Sequence, residues 1–220
     1  MTIAQPYSFT ITNDPEVINS LFPADDRVIE LLNQTLHDVN RKKKKVEGKL
    51  YEYIEQYPDI PQFKNRLSAY YELTGKTEQA KEVKLFTWQQ HPDYLFAKLG
   101  VALEYYYENR FDEMATLLGE KLELNALYPE RKIFHLSEVL SYYKVAALYL
   151  NAVDRSDEAW ATIEKMENAC PGYPDIELTT KEIFNYNLKN ISRRWEADEK
   201  TSKRITGSFH QRAGADDGPP

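Results

Sequence analysis

Glycine is scarce in this chain, with eight residues in 220, about half the usual ~7%. None forms a G-x-G-x-x-G or a full G-x4-G-K-S/T pattern, since Gly75-Lys76-Thr77 has Tyr70 where the first glycine would stand, so phosphate-cradling chemistry has no obvious backbone to use. The single cysteine, Cys170, can close no intrachain disulfide. His37, His91, His135 and His210 are scattered, and none has a second ligand at i+3 or i+4 in a metal-type motif. No apolar run approaches the ~20 residues that span a bilayer, and the chain does not open with a basic-then-apolar signal segment. Basic charge is also in deficit. Lys+Arg number 28 against 35 Asp+Glu, for a net charge of −7 and a pI near 5.3. That balance argues against a general nucleic-acid coat or a basic membrane-surface protein, while permitting a local basic patch. The expectation is a soluble, reduced, cytoplasmic protein that needs no metal or cofactor. Its many carboxylates read as solvated helix faces rather than as acid–base pairs.

What the chain does have is helical periodicity. From Asp25 to about Trp195 nearly every window carries apolar residues at helical spacing, and no convincing strand pattern interrupts it. Breaks fall at Tyr57-Pro58, Gly75, His91-Pro92, Asn109, Tyr128-Pro129, Asp154 and Pro171-Gly172. Residues 1–24 read as an irregular leader, with weak strand-like alternation over Tyr7–Thr12 and a short helix opening at Asn13-Asp14-Pro15-Glu16. Residues 197–220, ending AGADDGPP, hold too few apolar side chains to offset ordering entropy and read as a disordered tail.

The breaks repeat. Pro58 and Pro92 are each followed by Asp and lie 34 residues apart. On that period Leu67 and Tyr71 align with Val101 and Tyr105, and Ala80 aligns with Met114. A third copy, Ala146, Leu150, Ala159 and Pro171, fits if 11 residues are inserted. Gly75, Asn109 and Asp154 each fall four residues after the Tyr/Tyr/Leu position, as turn residues should.

This pattern resembles the tetratricopeptide repeat (TPR). Its W-x2-L-G-x2-Y…A-x3-F…P motif reads here as Lys64-x2-Leu67-Ser68-x2-Tyr71…Ala80-x3-Lys84…Pro92. Further copies are Lys98-x2-Val101-Ala102-x2-Tyr105…Met114-x3-Leu118 and Tyr143-x2-Ala146-Ala147-x2-Leu150…Ala159-x3-Ile163…Pro171. A degenerate copy upstream retains Val46-x3-Leu50…Pro58. Trp is missing from the motif start, Ser or Ala replaces Gly, and Met114 stands where Ala is usual. The resemblance implies an all-α fold of antiparallel helix pairs stacked in a right-handed superhelix. It places clear repeats near 61–94, 95–128 and 140–173, with a degenerate one over 27–60, in a domain covering 25–196.

Eleven inserted residues are close to three helical turns, so Asn125–His135 is expected to extend the following helix. One helix over about Pro129–Val153 would then overhang the stack by roughly 16 Å. A final helix over 175–196, with Ile183, Phe184, Leu188, Ile191 and Trp195 as its stripe, is expected to cap the last apolar face.

Family architecture directs the first helix of each pair toward a concave groove. By that analogy Gln62, Asn65, Ala69 and Glu72 face inward in the first clear repeat. Phe96, Leu99, Leu103 and Tyr106 follow in the second, then Lys144, Leu148 and Asn151 in the third. The expected partner-binding residues are Asn65, Phe96, Leu99, Leu103, Tyr106, Lys144 and Leu148, an apolar centre with a polar rim, and Tyr106 is the expected hot spot. Phe96 and Leu99 could instead be core, covered by the third repeat or the leader. The family's carboxylate clamp is not expected, because Gly100 and Val145 stand where that grip needs polar groups. The expected function is a non-catalytic module binding a protein or peptide. The alternative is a nucleic-acid-associated or transcriptional regulator using the basic run Arg41–Lys45, which lacks interleaved aromatics.

Overall fold

A proline just past a helix end occurs four times in this chain, and each instance builds the same turn. The computed structural model describes residues 8–213, with their side chains except at position 194 and from 196 onward. Pro58, Pro92, Pro129 and Pro171 are separated by 34, 37 and 42 residues. Proline clashes with a helical residue before it, and Tyr57, His91, Tyr128 and Cys170 accordingly leave the helix with φ between −129° and −153°. Their amides still donate four residues back, to the carbonyls of Tyr53, Thr87, Leu124 and Met166. Their own carbonyls accept from Ile60, Tyr94, Arg131 and Tyr173.

A second turn alternates with the first. Lys42, Gly75, Asn109 and Asp154 take φ of 51°, 76°, 58° and 60°. The amides that follow them, on Lys43, Lys76, Arg110 and Arg155, donate to Asp38, Tyr71, Tyr105 and Leu150. This is the left-handed C-terminal motif, in which orphan carbonyls of the last turn find donors. The sequence pointed to the last three. Lys42 carries no turn signal of its own, yet it closes the first helix in the same way.

Between these turns lie the helices. β1 (Thr10–Thr12) and α1 (Glu16–Asn19) precede α2 (Asp26–Asn40) and α3 (Val46–Gln56). Then come α4 (Pro61–Leu73), α5 (Thr77–Gln90), α6 (Leu95–Tyr107), α7 (Phe111–Leu118) and α8 (Leu124–Leu127). β2 (Ile133–His135), α9 (Leu136–Ala152), α10 (Ser156–Ala169) and α11 (Pro174–Ala213) complete the order. The fold is mostly helical, as expected. α4 packs with α5, α6 with α7 and α9 with α10, while α3, α5 and α7 each pack on the next pair's first helix. The small residues Ala80, Ala102, Ala147 and Ala159 are fully buried, as close helix crossing requires, and Met114 is accommodated in the core as well. No helix among the described residues is long and apolar enough to cross a membrane.

The 11-residue insertion does not extend the following helix: its first residues belong to α8 and the rest form a turn and a strand. α9 starts only at Leu136, and β2 before it pairs in parallel with β1, Thr10 opposite Ile133 and Thr12 opposite His135. The expected overhanging helix from Pro129 is therefore replaced by a turn and a strand. Backbone groups that a helix would satisfy internally are satisfied by the leader instead, with the Thr10 amide donating to Lys132. Phe134 is fully buried, edge-on to Phe9 at 5.0 Å. Part of the leader is thus a packed strand, and residues 1–7 lie outside the described ones.

The chain divides into two compact units, one up to Ile176 and one from Glu177. Along α11, Thr179 and Ile183 are buried, but Phe184, Leu188 and Ile191 are exposed and Trp195 is 74% exposed. Helical backbone also runs to Ala213, through most of the segment read as a disordered tail. Residues 214–220 lie outside the described ones.

Candidate functional site

Five of the seven residues expected to face a groove line one recess of about 250 Å³. α4 supplies Asn65, Ser68, Ala69 and Glu72, α6 supplies Phe96, Leu99, Gly100 and Leu103, and α9 supplies Ser141, Lys144 and Val145. Lys84 and Asp175 close the rim. Successive first helices present these residues because each has turned its core face, such as Leu67 or Val101, toward the helix packed behind it. The floor is apolar and the rim charged. Leu99 is almost fully buried while Phe96 and Leu103 are half-buried, so the floor serves core and recess together.

The rim charges are paired. Lys84 bridges Glu72 and Glu104, with its Nζ 2.6 Å from the Glu104 carboxylate. Burial disfavours the ammonium, but the two carboxylates outweigh that and hold its pKa above the usual value. Gly100 lies against the Lys84 chain, where a Cβ would be in van der Waals contact at 3.4 Å. Lys144 pairs with Asp175 at 3.3 Å.

Two expected residues are elsewhere. Tyr106 is 5% exposed and packs against the rings of Tyr107 and Phe111, on the buried stripe of α6 with Leu95, Leu99 and Ala102. It is core, and the exposed tyrosine of the triplet is Tyr107. Leu148 is fully buried because α6, α7, α10 and the strands surround α9 on almost every side. Asn151, also expected inward, is buried too.

The chain matches no family model, no curated protein and no solved structure.

Sequence reasoning missed Ser68, Lys84, Ser141 and Asp175. Ser68 and Ser141 lie three residues from Asn65 and Lys144, so helical spacing could have found them. Lys84 belongs to a second helix and Asp175 to α11, which no first-helix analogy reaches.

A larger cavity of about 470 Å³ continues along the same inner surface and shares Asn65 and Phe96 with the recess. α1 and α2 border it through Ile18, Ile29, Leu32 and Leu36, and α4 contributes Gln62 and Arg66. The basic run lies in the turn between α2 and α3, exposed, with Lys43 bound to Asp38 at 2.6 Å. That lysine holds the Asp38 carboxyl below its usual pKa. Among the described residues no group of three or more His, Cys, Asp or Glu is placed to hold a metal. Cys170 is half-buried in its turn.

Proposed function

We propose that this chain is a non-catalytic, cytoplasmic interaction module of the TPR type, its helix pairs stacked in a right-handed superhelix. It would bind a protein or peptide partner in the recess between α4, α6 and α9. The observation that carries this reading is the convergence of Asn65, Phe96, Leu99, Leu103 and Lys144, from three successive first helices, on one apolar-floored recess with a charged rim. The recurrence of both turn types at matching positions supports the repeat architecture. Apolar floors with polar rims suit the burial of a few anchoring side chains. Ion pairing of Lys84 and Lys144 leaves the rim organised before any partner arrives.

The test is quantitative affinity capture from lysate with Leu103→Glu against Trp160→Glu, the latter on an exposed face away from the recess. Leu103→Glu is expected to lose a specific partner that Trp160→Glu retains, in a manner insensitive to moderate salt. Binding that instead survives Leu103→Glu, weakens steeply with salt and depends on Lys42, Lys44 and Lys45 would support the nucleic-acid reading.

A further inference from the structure

Arg66 and Gln62 present an electrostatic problem that the protein does not solve by itself. Gln62 is 7% exposed, and neither its amide nitrogen nor its amide oxygen has a hydrogen-bond partner. One helical turn on, the buried Arg66 Nε also lacks one. Arg110, Arg131 and Arg155 each engage a glutamate. Arg66 pairs with no carboxylate among the described residues. The charged or titratable groups facing its cavity are His135 and the Tyr94 phenol, with no Asp or Glu. Burial pushes the Arg66 guanidinium below its usual pKa, with the Tyr94 phenol as its electrostatic neighbour. Native proteins seldom leave buried polar groups unpaired, and a half-buried cation without a counter-ion adds to that cost.

The space beside these groups fits a ligand. At about 470 Å³ it lies within the ~300–1,000 Å³ of ordinary small-molecule pockets. Ile18, Ile29, Leu32, Leu36 and Phe96 give it a largely aliphatic wall, interspersed with Asn19, Asn33, Asn65 and Ser137. Water could satisfy Gln62 but would not neutralise Arg66. A single guanidinium flanked by neutral amides matches one negative charge, and a carboxylate meets a guanidinium in bidentate geometry. Phosphate would bring nearly twice the charge and leave the apolar walls unused.

We propose that this cavity is a binding site for a small amphipathic carboxylate, its head held by Arg66 and Gln62 and its apolar body against Ile29, Leu32, Leu36 and Phe96. This goes beyond the partner reading and stands whether or not the neighbouring recess holds a protein.

The test is calorimetric titration of the full chain with octanoate, 3-phenylpropanoate and indole-3-acetate, each paired with its neutral amide. Inorganic phosphate and an acetylated tripeptide ending in a free phenylalanine carboxylate complete the set. At least one small acid is expected to bind, its amide at least ~10-fold more weakly, and phosphate not at all. Arg66→Met is expected to weaken the acid ~10-fold or more without lowering the melting temperature of the unliganded chain, since it removes an uncompensated charge. Gln62→Leu is expected to weaken it as well. The proposal is overturned if no acid binds at millimolar concentration, if acid and amide bind alike, or if Arg66→Met leaves acid binding unchanged. Binding of the tripeptide alone would assign the carboxylate to a peptide and overturn the small-ligand site. A strongly lowered melting temperature in unliganded Arg66→Met would show the guanidinium to be satisfied by protein, which overturns the proposal equally. An Arg66→Met chain that does not fold counts as the same outcome.

Discussion

His91 joins two of the recurring turns. Its Nε2 lies 3.2 Å from both the Lys64 ammonium and the Pro58 carbonyl, and Lys64 Nζ donates to that carbonyl at 2.6 Å. Burial, then the nearby Lys64 charge, lowers the His91 pKa from its ordinary 6.5. The folded protein therefore binds that proton less readily than the unfolded chain. Stability from this group is complete above pH 6.5 and is lost as pH falls through the folded pKa. Melting temperature is expected to decline below that pH, with a shallower slope in His91→Asn. Identical slopes in the two proteins would count against the coupling. Trp195 makes a simpler case. At 74% exposed it is expected to tolerate Trp195→Ala with little change in melting temperature. Backbone handedness gives a third expectation. Asp154→Gly should stabilise by ~0.5–1 kcal/mol and Gly75→Ala should destabilise by ~1 kcal/mol, as chemical denaturation would show, because both positions hold φ of 60° or more. Residue positions within a helix were only partly legible. Spacing identified the faces of Asn65 and Leu103, but Tyr106 and Tyr107 differ by one step of ~100°. The neighbouring ring of Phe111 packs on Tyr106, the enclosed one of the two.

Among the elements, the start of α9 shows how a local signal can mislead. Pro129-Glu130 is a good helix opening in isolation, yet the cap in use is His135. Its ring accepts from the Ser137 amide, and the Glu138 carboxylate accepts from the His135 amide at 3.0 Å. Glu138 is 2% exposed and also takes both guanidinium arms of Arg131 at 2.8 and 2.9 Å. One carboxylate thus ends β2, starts α9 and neutralises Arg131. Its removal leaves a guanidinium and an amide unpaired at a buried junction. Glu138→Ala is expected to cost ~3–5 kcal/mol, measured by denaturant unfolding, and a cost below ~1 kcal/mol would contradict this account. None of this was readable from spacing, because three-residue β2 exists only through pairing with Thr10–Thr12, more than a hundred residues earlier. The helix-pair turns were readable because glycine, asparagine, aspartate and proline act locally, through φ and a missing N–H.

At the scale of the molecule, each helix pair relies on its neighbours. α10 covers one side of α9, whose Tyr142, Tyr143, Ala146, Ala147 and Leu148 are all fully buried. A chain ended at Asp154 lacks α10 and is expected to lose cooperative unfolding, since α9 deprived of α10 exposes core. The same dependence builds the recess, because no single pair holds Asn65, Leu103 and Lys144 together. The most direct test of the claim that this recess receives a partner is site-specific photocrosslinking in cells. A benzoylphenylalanine replaces Leu103 in one strain, and Tyr107 or Lys44 in two others. A discrete adduct at position 103, lost when Phe96→Asp is added and missing at 107 and 44, is the predicted result. Adducts at 44 or 107 with none at 103 would contradict it.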